Sequence, residues 1–251
     1  MLTSVRALAR DARAVATSFG ADECSFLAGA VAFQIFFALI PLVALIVGVV
    51  GFVYGSERAQ EELAQLMRDV YPSATAQETR IVRELVEGRG ISLGIGLIGT
   101  VFATGAIHGS IDTALAAILG SGGKRGFVRG QVEAFIFAGA LVILAVLSVA
   151  VSLSAGLLAP LLGFGAGFVM FFGVYRFIPR SRVRSRTARL AALVSAVLWE
   201  VAKLAFGLVT RSIGIFSAYG PIAFVAAVLT WIYVTAVIIL VGAEVIKLKR
   251  A

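Results

Sequence analysis

The sequence predicts an all-α polytopic membrane protein, a bundle of six transmembrane helices with both termini in the cytoplasm. The chain is 60% hydrophobic, against about 45–50% for soluble proteins. Charged residues make up only 14%, and they lie mostly between long apolar stretches, as expected when hydrocarbon excludes charge. The basic residues are also distributed unevenly between alternate connections. Residues 1–251 are therefore predicted to form a single membrane domain.

The N-terminal segment has the pattern of a helix that lies on a membrane surface. Apolar residues over 2–19 recur at helical spacing, with Arg6, Arg10 and Arg13 between them. We expect residues 1–20 to form a cytoplasmic interfacial helix. Because no pattern of a removable signal peptide is visible, the first span is expected to act as the insertion signal.

Apolar runs long enough to cross about 30 Å of hydrocarbon follow. They are residues 26–54, 91–119, 127–158, 160–177, 190–209 and 219–246. Pro41 lies inside the first run and predicts a kink or a local break in the helix. Residues 55–90 form the long polar segment, whose apolar positions predict two periplasmic amphipathic helices divided near Tyr71 and Pro72.

The positive charges predict the orientation. Most of the 22 lysines and arginines fall in connections on one side of such a bundle, and Lys/Arg-rich connections stay in the cytoplasm. The net charge of +8 is therefore attributed to the cytoplasmic connections, and no nucleic-acid partner is expected. The densest cluster is YRFIPRSRVRSRTAR, in which each cation near a membrane is worth about 1 kcal/mol with anionic lipid. The alternative is that these arginines only fix the orientation of the protein in the membrane. The predicted lipid contacts are Arg176, Arg180, Arg182, Arg184 and Arg186.

Small residues predict where helices approach each other closely. The candidates are Gly94, Gly96, Gly99 and Gly105 in the second run and Gly163, Gly165 and Gly167 in the fourth. Cys24 is the single cysteine, so no internal disulfide is expected.

Three ordered motifs make the sequence recognisable. They are YRFIPRSRVR from Tyr175, LWEVAKLAFGLVT around Trp199, and YGPIAFVAAVLTWIYVTAVIILVGAEV from Tyr219. Together with the first run, LAGAVAFQIFFALIPLVAL, they resemble the YihY/BrkB family of bacterial inner-membrane proteins, once mislabelled as ribonuclease. The resemblance covers almost the whole chain, although Phe33, Gln34 and Ala38 depart from the family's usual residues.

The resemblance implies a six-helix protein of the bacterial cytoplasmic membrane that is connected with envelope integrity and serum resistance. It also implies movement of lipid or of lipopolysaccharide precursors. A shared fold does not by itself fix the chemistry, so the function has to be argued from individual side chains.

Glu200 and Lys203 lie inside the fifth run, where charge is costly. At a spacing of three residues they share a helix face and can pair. Either the pair faces the bundle interior and fixes helix packing, or it forms a polar site for a lipid headgroup or a coupling ion. Both interpretations are open on the sequence alone.

His108 and Asp112 lie four residues apart on one face of the second run. An imidazole beside a carboxylate can relay protons near neutral pH. A buried hydrogen-bonded pair, or an Asp112 that reaches the inner interface, explains the pattern equally simply. No metal site is expected, because one histidine without a nearby cysteine cannot supply a usual transition-metal shell.

Two further carboxylates lie near the cytoplasmic ends of predicted spans. Glu133 is expected to pair with Arg129 and Glu244 with Lys247, as anchors at the membrane boundary. Glu244 also belongs to the GAE motif of the resemblance and is therefore kept as a substrate or ion-pathway candidate.

These patterns favour a non-enzymatic transporter or lipid-handling protein without a cofactor. Its predicted partners are membrane lipids, a lipid or lipopolysaccharide-precursor substrate, and an envelope protein or a second copy of the chain. The alternative is a structural scaffold that contacts envelope machinery through residues 55–90. Nuclease and intramembrane protease activities are disfavoured, because no matching carboxylate, histidine or serine motif is present.

Overall fold

A computed structural model describes residues 2–55, 61, 65, 84, 86–121, 130–136, 138–139, 159–212 and 215–250. Within these ranges every regular element is helical. The helices are α1 (Leu2–Ala21), α2 (Cys24–Tyr54), α3 (Arg89–Leu119), α4 (Ala159–Phe177), α5 (Ser185–Ser212) and α6 (Ile215–Leu248). Residues 130–136 and 138–139 are helical as well. The predicted all-α class is confirmed for this part of the chain.

The C-terminal helix α6 is the centre of the bundle. It contacts α1, α2, α3 and α5, while α4 packs against α5. Its side chains at Ala236, Leu240, Ala243 and Ile246 are completely buried. The innermost helix is thus the one that carries the last of the sequence motifs.

Helices α2 and α5 begin at one end of the bundle, and α3, α4 and α6 finish at that same end. The start of α2 meets the end of α6 through Cys24 and Glu244, and the end of α3 meets the α4–α5 connection through Asp112 and Arg180. We call this end of the bundle the basic end; it holds residues 178–189 and 247–250. The other end, where α2 stops and α3 starts, is called the far end.

Helices α2 and α3 form the most extensive helix pair, and glycines make it possible. A Cβ atom at Gly48 would lie 2.7 Å from the Leu93 backbone nitrogen, and one at Gly99 would lie 2.6 Å from Pro41 Cβ. Such distances leave no room for a side chain, so the backbones touch. The helix continues through Pro41, so the backbone is not broken there, while the kink stays a prediction; the proline ring packs in the space that Gly99 leaves open.

The other predicted close approaches are confirmed only in part. A Cβ at Gly96 would collide with the backbone of Leu45, and one at Gly105 with the side chain of Gln131. In contrast, Gly94, Gly163 and Gly165 have no such neighbour within 4 Å, and at Gly167 only Trp199 comes as near as 3.9 Å. Among the described residues, these four glycines therefore show no tight helix contact.

The length of the helices and the apolar outside of the bundle require a lipid membrane around it. Four helical stretches are long and apolar enough to cross a membrane, namely Cys24–Val53, Gly90–Leu119, Ser185–Val209 and Ile222–Leu248, and Leu161–Phe177 is a shorter apolar helix. Large apolar side chains such as Phe37, Ile95 and Leu204 are exposed on the outside. The chain is a multi-pass membrane protein.

Two predicted segments fall largely outside the described residues. The third apolar run, 127–158, is described at residues 130–136 and 138–139, and these are helical. The amphipathic segment 55–90 is described only at residues 55, 61, 65, 84 and 86–90.

Helix α5 starts earlier than the sequence predicts. It begins at Ser185 rather than near residue 190, so only residues 178–184 form the connection from α4. Arginine and alanine are good helix formers, and a dense run of arginines therefore extends the helix instead of ending it. Arg186 and Arg189 consequently lie on the first turns of α5.

Candidate functional site

The ion pair of α5 lies on the surface of the chain. Lys203 Nζ is 2.7 Å from Glu200 Oε1, and the side chains are 41% and 34% exposed, respectively. Glu200 follows the start of α5 by fifteen residues, which is about 22 Å along the helix and inside the candidate span Ser185–Val209. The pair is therefore only partly buried, with Glu200 Oε1 itself buried, and the choice between a packing role and a polar site stays open.

An apolar groove lies between α5 and α6, at a similar depth to this pair. It encloses about 370 Å³, and the residues that define it include Ala202, Ala205, Phe206, Ala226, Ala227 and Trp231. We call it the α5–α6 groove. Alanines on both helices create the space, because their short side chains do not fill the gap between the two backbones. Thr230 supplies a hydroxyl group to the described part of the lining.

Aromatic rings join the groove to the ion pair. The Trp231 ring centroid lies 4.7 Å from that of Trp199 and 5.0 Å from that of Phe206. Lys203 is four residues after Trp199 and three before Phe206, so its side chain starts between these two rings on the helix surface. Lys203 thus lies at the depth of the groove and neighbours Phe206, whereas Glu200 lies on a different face of α5 from the groove.

Asp112 has a partner that its spacing from His108 does not suggest. Its Oδ2 accepts hydrogen bonds from Arg180 Nε at 2.9 Å and from Arg180 Nη2 at 2.8 Å. Asp112 and His108 are both buried. The contact ties α3 to the α4–α5 connection and engages one of the arginines that we expected to contact lipid. The relay between His108 and Asp112 remains a prediction.

Glu244 is completely buried at the basic end. The Cys24 thiol donates to its Oε1 at 3.4 Å. Lys247, the expected partner of Glu244, instead donates to Asp22 Oδ2 at 2.5 Å and to Ser18 Oγ at 3.2 Å. Glu244 therefore lies beneath a polar layer from the end of α1, which holds α1, α2 and α6 together. Glu133 is half-buried, while its expected partner Arg129 lies outside the described residues.

A buried hydroxyl pair joins α4, α5 and α6. Tyr175 Oη lies 2.7 Å from Ser195 Oγ, and the tyrosine hydroxyl donates to the Ile239 carbonyl at 2.9 Å. Both oxygens lie where a Cβ atom of residue 242 would be, so Gly242 is the residue that lets them reach the α6 backbone. Sequence reasoning missed this junction as a structural unit, although Tyr175 and Gly242 both belong to the family motifs.

The remaining arginines of the predicted lipid-contact set are spread over the basic end. Arg182, Arg184 and Arg186 are exposed, and Arg176 is half-buried. Within the described residues no group of three or more His, Cys, Asp or Glu side chains could hold a metal ion. The described chemistry is therefore that of ion pairs, hydroxyl groups and apolar slots.

Comparison with known proteins agrees with the motifs. A UPF0761 membrane protein of Acinetobacter baylyi is 27% identical over 246 residues, which are 90% of this chain and 59% of that protein. One from Klebsiella pneumoniae is 39% identical over 69 residues, 27% of this chain and 24% of that protein. One from Ralstonia nicotianae is 40% identical over 70 residues, 28% of this chain and 16% of that protein.

The chain thus spans about three fifths of the length of the Acinetobacter relative. No solved structure matches it. The family model described as Virulence factor BrkB matches residues 15–249. Because that match covers nearly the whole chain, this protein belongs to the Virulence factor BrkB family of membrane proteins.

Proposed function

We propose that this protein is a non-enzymatic lipid-handling component of the bacterial cytoplasmic membrane, which binds an amphipathic envelope lipid at the α5–α6 groove and promotes its movement between leaflets. The observation that carries the proposal is the partly exposed Glu200–Lys203 pair at the depth of that groove. The proposed orientation places the basic end in the cytoplasm, because lysine and arginine concentrate there.

The free-energy cost of a charge exposed to hydrocarbon supports a polar ligand at this pair. Placing one Lys or Asp residue at the centre of a spanning helix costs about 2.5–3.5 kcal/mol, and such residues usually face a protein interior or a polar cavity. Glu200 and Lys203 neutralise each other, yet both keep a third or more of their surface outside the chain. A zwitterionic or anionic headgroup would supply the polar contacts that hydrocarbon cannot.

The groove supports an acyl chain as the other half of the ligand. Its volume of about 370 Å³ lies within the range of about 300–1,000 Å³ that ligand sites occupy. Its lining is apolar apart from Thr230. A headgroup at Lys203 and an acyl chain against Phe206 and Ala227 would place both parts of a lipid in matching surroundings.

Reconstitution tests this proposal. Purified protein in liposomes is expected to expose an inner-leaflet phospholipid with a fluorescent headgroup to an impermeant quencher faster than empty liposomes do. The double variant Glu200→Leu/Lys203→Leu is expected to insert normally and to lose at least about tenfold in rate. The exchanged pair Glu200→Lys/Lys203→Glu keeps both charges and is expected to retain most of the rate.

Groove-filling variants give the matched control. Ala227→Phe places a ring in the groove, whereas Val225→Phe adds the same bulk to an exposed position of α6 outside it. Only the first is expected to slow movement. Equal rates for wild-type protein and empty liposomes, with every envelope lipid tried, would contradict lipid movement and favour a scaffold.

A further inference from the structure

A second opening lies at the basic end, between α4, α5 and the residues that follow α6. It encloses about 730 Å³, and its lining includes Phe168, Arg186, Arg189, Leu190, Leu193 and Lys249. We call it the basic cleft. It is separate from the α5–α6 groove, because Arg189 precedes Glu200 by eleven residues, or about 16 Å along α5.

The polarity of the basic cleft changes in one direction. The cleft residues of α5 are spaced by three or four positions: Arg189 and Leu190 come three and four residues after Arg186, and Leu193 comes four and three residues after them. They therefore share one face of α5. The eight residues from Arg186 to Leu193 cover about 10 Å. Cations thus line the outer part of the cleft, and the leucines with Phe168 line the part that continues along the candidate span. This is the order of groups in a membrane phospholipid, from headgroup to acyl chain.

The cations of the cleft are not matched by acids. Lys249 Nζ is 3.1 Å from Asp11 Oδ2, but no carboxylate of the described chain forms an ion pair with Arg186 or Arg189. Arg180 differs, since two of its guanidinium nitrogens contact Asp112 Oδ2. Arg189 Nε donates to the Ser185 carbonyl at 3.4 Å, but neither arginine is engaged by a carboxylate of the described chain. Arginine is the residue that binds phosphate oxygens with two N–H groups at once.

The backbone adds to this preference. Arg186 and Thr187 lie in the first turn of α5, which starts at Ser185, and both line the cleft. The first N–H groups of a helix have no acceptor within it, and they carry the positive end of the helix dipole. An anion at this position is favoured by the arginines and by the helix together.

We infer that the basic cleft binds an anionic glycerophospholipid, with its phosphate between Arg186 and Arg189 and the start of an acyl chain along Leu190, Leu193 and Phe168. A soluble phosphate would use only the outer half of the cleft, and the apolar half is what selects a lipid. This site is distinct from the groove, so its failure leaves the proposed movement of lipid untouched.

Lipid retention by the purified protein tests the inference directly. In native mass spectrometry, wild-type protein is expected to retain phosphatidylglycerol over phosphatidylcholine with the same acyl chains. Each cation near an anionic lipid contributes about a fivefold gain in affinity. Arg186→Gln/Arg189→Gln is therefore expected to lower the affinity for phosphatidylglycerol about 30-fold.

The connection from α4 to α5 offers a control with equal charge. Arg182→Gln/Arg184→Gln removes two exposed arginines that do not line the cleft, and a loss of less than about threefold is expected. Leu193→Gln leaves the charge unchanged and is expected to weaken phosphatidylglycerol retention through the apolar half.

Three results would overturn the inference. One is equal retention of the two lipids by wild-type protein, a comparison that needs no variant to fold. Another is an equal loss in both arginine pairs, which would mean general attraction to positive charge. The third is displacement of phosphatidylglycerol by glycerol 3-phosphate at an equal concentration, which would assign the cleft to a free phosphate.

Discussion

Asp112 and Arg180 are 68 residues apart in the chain, and their side chains meet at the basic end of the bundle. The carboxylate belongs to α3, is almost fully buried and accepts two hydrogen bonds from one guanidinium group. The contact connects the first half of the molecule to the basic connection between α4 and α5. It therefore determines how the arginines of that connection are presented.

Removing this carboxylate is expected to destabilise the protein. Breaking a buried ion pair costs about 3–5 kcal/mol, and since Arg180 is partly exposed we expect about 2–3 kcal/mol for Asp112→Ala. The Asp11–Lys249 pair, with both side chains about half exposed, provides the comparison, because exposed pairs are worth about 0–1 kcal/mol. Thermal unfolding in detergent measures both; equal losses for Asp112→Ala and Asp11→Ala would contradict the assignment.

Gly242→Ala is expected to disturb the junction of α4, α5 and α6. The new methyl group would occupy the positions of Tyr175 Oη and Ser195 Oγ, and overpacking of this kind costs about 1–3 kcal/mol. Gly29→Ala adds the same group where nothing lies within 4 Å. Unfolding temperatures should fall for the first variant only, and adding Tyr175→Phe to Gly242→Ala should recover part of the loss.

Cys24 is expected to be silent toward thiol reagents in the folded protein. It is completely buried, and its thiol donates to Glu244. Maleimide labelling should therefore be at least about tenfold slower in native protein than after unfolding in dodecyl sulfate. Rapid labelling of the native protein would show that the contact between α2 and α6 opens.

Because Cys24 is expected not to react with maleimides, introduced cysteines can report the orientation of the protein in the membrane. Arg184→Cys and Glu87→Cys place exposed thiols at the basic end and the far end, respectively. In intact spheroplasts an impermeant maleimide should label position 87 and not position 184, because the arginine-rich end stays in the cytoplasm. Labelling of position 184 alone would invert the proposed orientation.

The sequence predicts the bundle well because hydrophobic length and helical period are local properties. The extents of α1, α2 and α3 follow from them almost to the residue. Helix α5 begins five residues before the apolar run predicted from residue 190, because arginine favours helices and the run marks only the apolar part of the helix. Pro41 was expected to kink or break α2; the helix continues through it, and the space at Gly99 that accommodates it belongs to another helix.

The candidate site was less predictable because its partners are remote in sequence. Glu200 and Lys203 pair as their spacing suggests, but their exposure depends on how α5 packs against α6. Asp112 and Lys247 each bind a group that no spacing rule connects to them, Arg180 and Asp22. The basic cleft combines positions on α4, α5 and beyond α6, so only the assembled bundle brings Arg189 and Lys249 together.

Photo-crosslinking tests the central claim most directly. A phospholipid with a diazirine in its acyl chain, reconstituted with the protein and irradiated, is expected to label peptides of α5 and α6 around Phe206 and Ala227. The labelling should fall in Ala227→Phe and persist in Val225→Phe. Equal labelling over the exposed faces of α2 and α3, unaffected by Ala227→Phe, would show that lipid merely surrounds the bundle and would contradict a lipid site in the α5–α6 groove.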